Sequence, residues 1–76
     1  MDELMTFTRH ADGSVTVDRF VDQVLISKEL LEDADPEMLT RDGDKFTISV
    51  ANGTATYQIV EQVGAYTLRA KRILKP

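Results

Sequence analysis

The sequence predicts a mainly β domain: a small antiparallel β-barrel or roll in which an N-terminal hairpin and a C-terminal three-stranded meander accompany one short helix. Three observations predict it. FTISVANGTATYQIV, residues 46–60, alternates apolar and polar residues on both sides of Asn52-Gly53, the period of half-buried strands around a two-residue turn. Met5-Thr-Phe7-Thr-Arg9 and Val15-Thr-Val17 alternate in the same way around Ala11-Asp12-Gly13. Between these regions, only the stretch from Asp18 to Thr40 carries a pattern that a helix can use.

At the N-terminus, a three-residue loop with Gly13 in the left-handed region pairs Phe7 with Val17 and Arg9 with Val15. A two-residue Asp-Gly turn would instead set Phe7 against Asp18 and mix the faces, so the longer loop is expected. The middle segment, DRFVDQVLISKELLEDADPEMLT, admits two readings. Val24-Leu25-Ile26 is a β-rich apolar run and Ser27 is a good N-cap, which gives a strand over 23–26 and a helix over 28–33. The alternative is an α+β arrangement with one long helix over 18–34, in which Phe20, Val21, Val24, Leu25, Leu31 and Ala34 form a stripe. Pro36 ends the helix or opens a further turn reaching Leu39, and Arg41-Asp42-Gly43-Asp44 turns the chain into the meander.

The meander is expected over 45–50, 54–62 and 65–73. A type I′ turn at Asn52-Gly53 would pair Val50 with Ala55, Ile48 with Tyr57 and Phe46 with Ile59. Val63-Gly64 can form the next turn, with the glycine at positive φ. That register places Tyr66, Leu68 and Ala70 with the apolar row, and Arg69 and Lys71 with Thr47, Ser49, Thr54, Thr56 and Gln58 on the opposite face.

At 76 residues the chain reads as one compact unit, residues 1–76, with no internal repeat or linker. A domain this small buries only about 60% of the surface of its unfolded chain, so its own core makes it marginally stable. The usual reinforcements are disulfides, a metal or a partner subunit, and the chain has no cysteine and one histidine. Association with a protein, by self-association or by docking on another protein, is the remaining route. MDELMTFTRH carries acids where a signal peptide carries bases, and no apolar run approaches the roughly 20 residues of a membrane span. The expectation is therefore a soluble, cytoplasmic protein without a membrane partner.

The net charge of −4 is unevenly distributed. Residues 1–61 hold all 13 acids and five of the nine bases, whereas residues 62–76 hold Arg69, Lys71, Arg72, Lys75 and no acid. An acidic chain without an exposed aromatic platform disfavours nucleic acid as the partner. His10 flanks a loop, with no cysteine or second histidine to make a nucleophilic pair or metal site, and reads as a surface residue. The acids Asp33, Asp35, Glu37, Asp42 and Asp44 do not fit a calcium loop: one starting at Asp33 has Met38 where glycine is required, and one starting at Asp42 has Phe46 at its fifth position. Ser14, Ser27 and Ser49 have no evident base, and the four glycines lack phosphate-loop spacing. No enzymatic activity and no cofactor are expected.

The order VLIS, KELLED, GDKFTI, a tight turn, TYQIVEQV and TLRAKRI, residues 24–73, resembles the small head-to-tail joining and head-closure proteins of tailed bacteriophages. The likeness lies in the Gly-Asp-led hairpin and the Tyr-x-Val-like strand, and the N-terminal hairpin has no counterpart. The resemblance implies a virion neck component whose copies form a ring, without catalysis. Two sets of contact residues are expected: acidic Glu29, Glu32, Asp33 and Glu37, and a polar, basic set of Thr56, Gln58, Arg69, Lys71 and Arg72. The competing reading is a small acidic phage-encoded inhibitor, anti-CRISPR-like, whose carboxylates occupy the basic channel of a host defence or nucleic-acid-binding protein.

Overall fold

The computed structural model describes residues 3–73; Lys75 of the basic C-terminal run lies outside them. The strands are β1 (Glu3–Leu4), β2 (Phe7–Arg9), β3 (Val15–Val17), β4 (Gln23–Ser27), β5 (Leu39–Asp42), β6 (Lys45–Val50), β7 (Gly53–Gln62) and β8 (Thr67–Ile73). The single helix α1 spans Lys28–Asp33. Six strands form one mixed sheet in the order β1-β4-β8-β7-β6-β5, and β2 and β3 form a separate two-stranded ribbon.

The fold is mainly β with one short helix, as the sequence predicts, but the sheet does not close into a barrel. β1 and β5 end it on opposite sides, and β1 joins β4 in parallel, so the sheet is not wholly antiparallel. The physical reason lies in the ribbon. Its loop forms as expected, with Phe7 opposite Val17, Arg9 opposite Val15 and Gly13 at φ +90°. Its outward backbone groups, however, bond to the β6–β7 turn rather than to a sheet edge. Ala51 N–H donates to Val15 O (2.9 Å), Val17 N–H donates to Asn52 Oδ1 (3.1 Å), and Asn52 Nδ2 donates to Val17 O (2.8 Å). The ribbon is thereby laid across the core side of the sheet.

That clamp also shifts the expected hairpin register. Ile48 pairs with Ala55 and Phe46 with Tyr57, while Val50 pairs with Gly53. The turn residues are therefore Ala51-Asn52, neither at positive φ, so the type I′ turn is not used. The shift moves the pairing by two residues, which keeps every side chain on its predicted face. Gly53 instead enters β7 at φ +152°, where a Cβ would stand 3.1 Å from Phe20 Cε2. The glycine admits the Phe20 ring.

In the middle segment the strand-then-helix reading holds and the long helix does not form. Alternation buries Val24 and Ile26 while Leu25 faces the other way, and β4 pairs with β8 along its whole length. Strand pairing over five residues outweighs the helical stripe. Ser27 caps α1, with Leu30 N–H donating to its Oγ at 3.4 Å. A turn over 36–38 then delivers buried Leu39 to β5. This strand occupies part of what was expected to be a turn, and only Gly43-Asp44 separates it from β6.

The core is one layer between the sheet and the elements laid on it. Val24, Ile26, Leu39, Phe46, Ile48, Ala55, Tyr57, Leu68 and Ala70 supply the sheet side, and Met5, Val17 and Leu31 cover it with Phe7, Phe20, Val21 and Leu30. The Phe46 and Tyr57 rings stack at 5.5 Å, an arrangement favoured beyond area burial. Tyr57 Oη donates to Val21 O at 2.9 Å, so the buried hydroxyl is satisfied.

Candidate contact surfaces

Strand alternation sends the other half of the side chains to the opposite face of the sheet. Among the described residues none on that face is buried, so none of the described elements covers it. Register arranges these side chains in rows. Thr40, Thr47, Thr56 and Ile73 form one row, and Asp42, Lys45, Gln58, Lys71 and Gln23 the next. Leu4, Leu25, Arg69 and Glu61 form a third. Hydroxyls are linked across strands, Thr47 Oγ1 to Thr56 Oγ1 at 3.0 Å and Ser49 Oγ to Thr54 Oγ1 at 3.4 Å. Glu61 forms an ion pair with Arg69 at 2.7 Å.

Thr56, Gln58, Arg69 and Lys71 therefore share one open face, as their alternation predicts. Arg72 does not join them. It pairs with Tyr57 across β7–β8 and is half-buried, with Nη1 donating to Phe20 O at 3.3 Å and Cζ lying 5.9 Å from the Phe20 ring centroid. Glu29, Glu32 and Asp33 are exposed on α1, at the i, i+3 and i+4 spacing that shares a helix face. Glu37 stands apart, in an open cleft of about 230 Å³ with Arg9, Asp35 and Met38. Its backbone N–H is held by Asp35 Oδ1 at 2.9 Å.

β8 is a central strand, flanked by β4 and β7. Its bases Arg69 and Lys71 are therefore presented by side chains on the open face and not along a sheet edge.

A third surface departs from the alternation of the sequence. β7 is bulged between Ile59 and Glu61, and beyond the bulge every residue from Val60 to Tyr66 is exposed. Tyr66, expected in the core, is 78% exposed; Val60 and Val63 are 52% and 39% exposed. The bulge adds one residue to one strand, and Tyr66 sits in the loop before β8, so regular alternation fails there. Gly64 is not at positive φ. The loop is closed by Val63 N–H donating to Thr67 O (3.0 Å) and Gln62 Nε2 donating to Gly64 O (2.8 Å). Lys28 N–H at the start of α1 donates to Tyr66 O at 2.9 Å, which sets the acidic helix beside this tip. One signal in the sequence pointed here: facing Glu61 with Arg69 demands a longer loop than Val63-Gly64 alone.

The remaining polar groups are engaged locally. His10 Nε2 lies 2.9 Å from Thr16 Oγ1. The Asp12 carboxylate accepts from Ser14 Oγ (2.6 Å) and Ser14 N–H (2.9 Å), which hold its pKa below the ordinary value. Burial pushes the Tyr57 hydroxyl above its ordinary 10.0, with Arg72 opposing and Asp22 reinforcing the shift. Among the described residues no three His, Asp or Glu side chains converge as metal ligands, and no helix is long and apolar enough to cross a membrane.

The chain matches no protein-family model, and no curated protein or solved structure is significantly similar to it.

Proposed function

We propose that the chain is a non-catalytic contact module of a phage or prophage particle, acting at the head-to-tail junction by association with its own copies and with neighbouring proteins. The observation that carries this reading is the separation of unlike surfaces on so small a body. An uncovered, polar sheet face carrying Lys45, Lys71 and Arg69 beside Asp42 and Glu61, an acidic helix and an apolar hairpin tip occupy different places. Surfaces of unlike character on one chain suit repeated subunit contacts, and exposed apolar patches rimmed by polar groups mark interaction sites. Sedimentation velocity and native mass spectrometry of the full chain, alone and with portal and tail proteins, test the reading. Discrete oligomers or stable heteromeric complexes support it. A strict monomer that binds neither overturns it.

A second reading is favoured by α1. Glu29, Glu32 and Asp33 are all exposed on one short helix, a carboxylate row suited to the basic channel of a nucleic-acid-binding protein in the host cytoplasm. Charge reversal at Glu29, Glu32, Asp33 and Glu37 separates the two. Loss of inhibition with intact folding favours the inhibitor, and a defect confined to particle assembly favours the junction protein.

A further inference from the structure

We infer that residues 3–22 form a lid on the core side of the sheet, closed by a staple that one cross-strand pair, Tyr57 and Arg72, makes on the crossing from β3 to β4. The lid opens as a unit by local unfolding, hinged at the entry to β4, while the strands from β4 to β8 and α1 keep their fold. This device stands apart from the contact role proposed above and does not depend on it.

The staple grips three successive carbonyls. Arg72 Nη1 donates to Phe20 O at 3.3 Å, Tyr57 Oη to Val21 O at 2.9 Å and Arg72 N–H to Asp22 O at 2.7 Å. Tyr57 and Arg72 stand opposite each other on β7 and β8, so a single point on two inner strands holds the whole crossing. The Arg72 guanidinium also lies over the Phe20 ring, 5.9 Å from its centroid, and the same ring packs against Gly53.

The lid is joined within itself. Asp18 N–H donates to Thr6 O at 2.9 Å and Arg19 pairs with Glu3 at 2.6 Å, which tie β1, the ribbon and the crossing to one another. Its attachment to the rest is lighter. β1 pairs with β4 over two residues, with Met5 N–H on Leu25 O beside them, and the ribbon is held by Ala51 and Asn52. By contrast, β4 pairs with β8 along its whole length, and so does β6 with β7. Local opening follows the boundary that breaks the fewest bonds, and here that boundary separates residues 3–22 from the sheet. The side the lid presents to the core is apolar, with Met5 and Val17 buried and Phe7 and Phe20 packed beside them. Burial thus closes the lid over the sheet, and the staple fixes it at the hinge.

Two measurements test the device. In the wild-type chain, hydrogen exchange should give the Met5, Val17, Ala51 and Arg72 amides, all bonded across the boundary, one shared protection at least roughly tenfold below that of the β6–β7 amides. Limited trypsin digestion reads the same opening, because cleavage after Arg19 requires the crossing to leave the staple. Arg72→Met is expected to raise the initial rate of that cut roughly tenfold, the worth of one hydrogen bond from a charged donor. Cuts after Lys45 and Arg69, inside the sheet, should keep their wild-type rates. If Arg72→Met does not fold, Tyr57→Phe, which removes only the bond to Val21 O, is read in the same way. If all three cuts accelerate together, or the four amides exchange only at the level of β6–β7, the pair merely stabilises the whole fold and the lid is overturned.

Discussion

Replacing Asn52 tests the central tertiary argument. Its side chain makes two hydrogen bonds to the Val17 backbone, accepting from N–H at 3.1 Å and donating to the carbonyl at 2.8 Å. With Ala51 N–H on Val15 O, these bonds tie the ribbon to the sheet. Each is worth about 1 kcal/mol net, and Asn52→Ala also strands a half-buried donor and acceptor, for a total cost of about 2–3 kcal/mol. A chain of 76 residues has roughly 4–11 kcal/mol of stability in all. The expected fall in Tm is about 10–20 °C. Urea unfolding should give the same loss, and hydrogen exchange should show the Val17 amide losing protection before the amides of β7 and β8. Asn52→Gly separates two roles for this residue. If Asn52 served only the turn, glycine would be harmless; if it is the clamp, glycine costs at least as much as alanine. A Tm shift below about 3 °C in Asn52→Ala with Val17 still protected would refute the reasoning.

Gly53→Ala should cost about 1–3 kcal/mol in urea unfolding, because the new Cβ meets Phe20 Cε2 at 3.1 Å on a backbone at φ +152°. Tyr57→Phe should cost about 1 kcal/mol near neutral pH through the lost bond to Val21 O. Its pH dependence is also diagnostic. The folded Tyr57 pKa is raised above 10.0, so the unfolded chain ionises first; this contribution is intact below pH 10 and lost as pH rises through the folded value. Melting curves of the wild type should show that alkaline decline, and Tyr57→Phe should lack this part of it. Ser27→Ala removes the cap of α1 and should lower stability by about 0.5–1 kcal/mol without changing β4–β8 pairing.

Much of the architecture is legible wherever alternation runs uninterrupted. The ribbon register, the strand–Ser27–helix order and the bounds of β6 follow from period, cap and turn chemistry alone. The failures fall where a distant residue overrules local chemistry. Asn52-Gly53 has the composition of a type I′ turn, yet the Val17 backbone recruits the asparagine side chain and Phe20 needs the glycine, and neither partner is near in sequence. Tyr66 follows a bulge that no residue type announces, so an alternation argument places it in the core. Arg72 sits among bases, but its parity on β8 turns it towards Phe20. For the contact residues, Thr56, Gln58, Arg69 and Lys71 are found together because they share one strand period, whereas Glu37 is parted from α1 by the turn over 36–38.

The two ends of the sheet govern how this protein behaves when concentrated. A long, flat and apolar terminal strand would invite every passing chain to extend the sheet. Here β1 offers two residues, beside a Glu3–Arg19 ion pair at 2.6 Å. β5 offers four, ending in Thr40, Arg41 and Asp42, all exposed. Short over the described residues and flanked by charge, both borders are poor templates for a further strand, which turns the molecule away from fibrillar accretion.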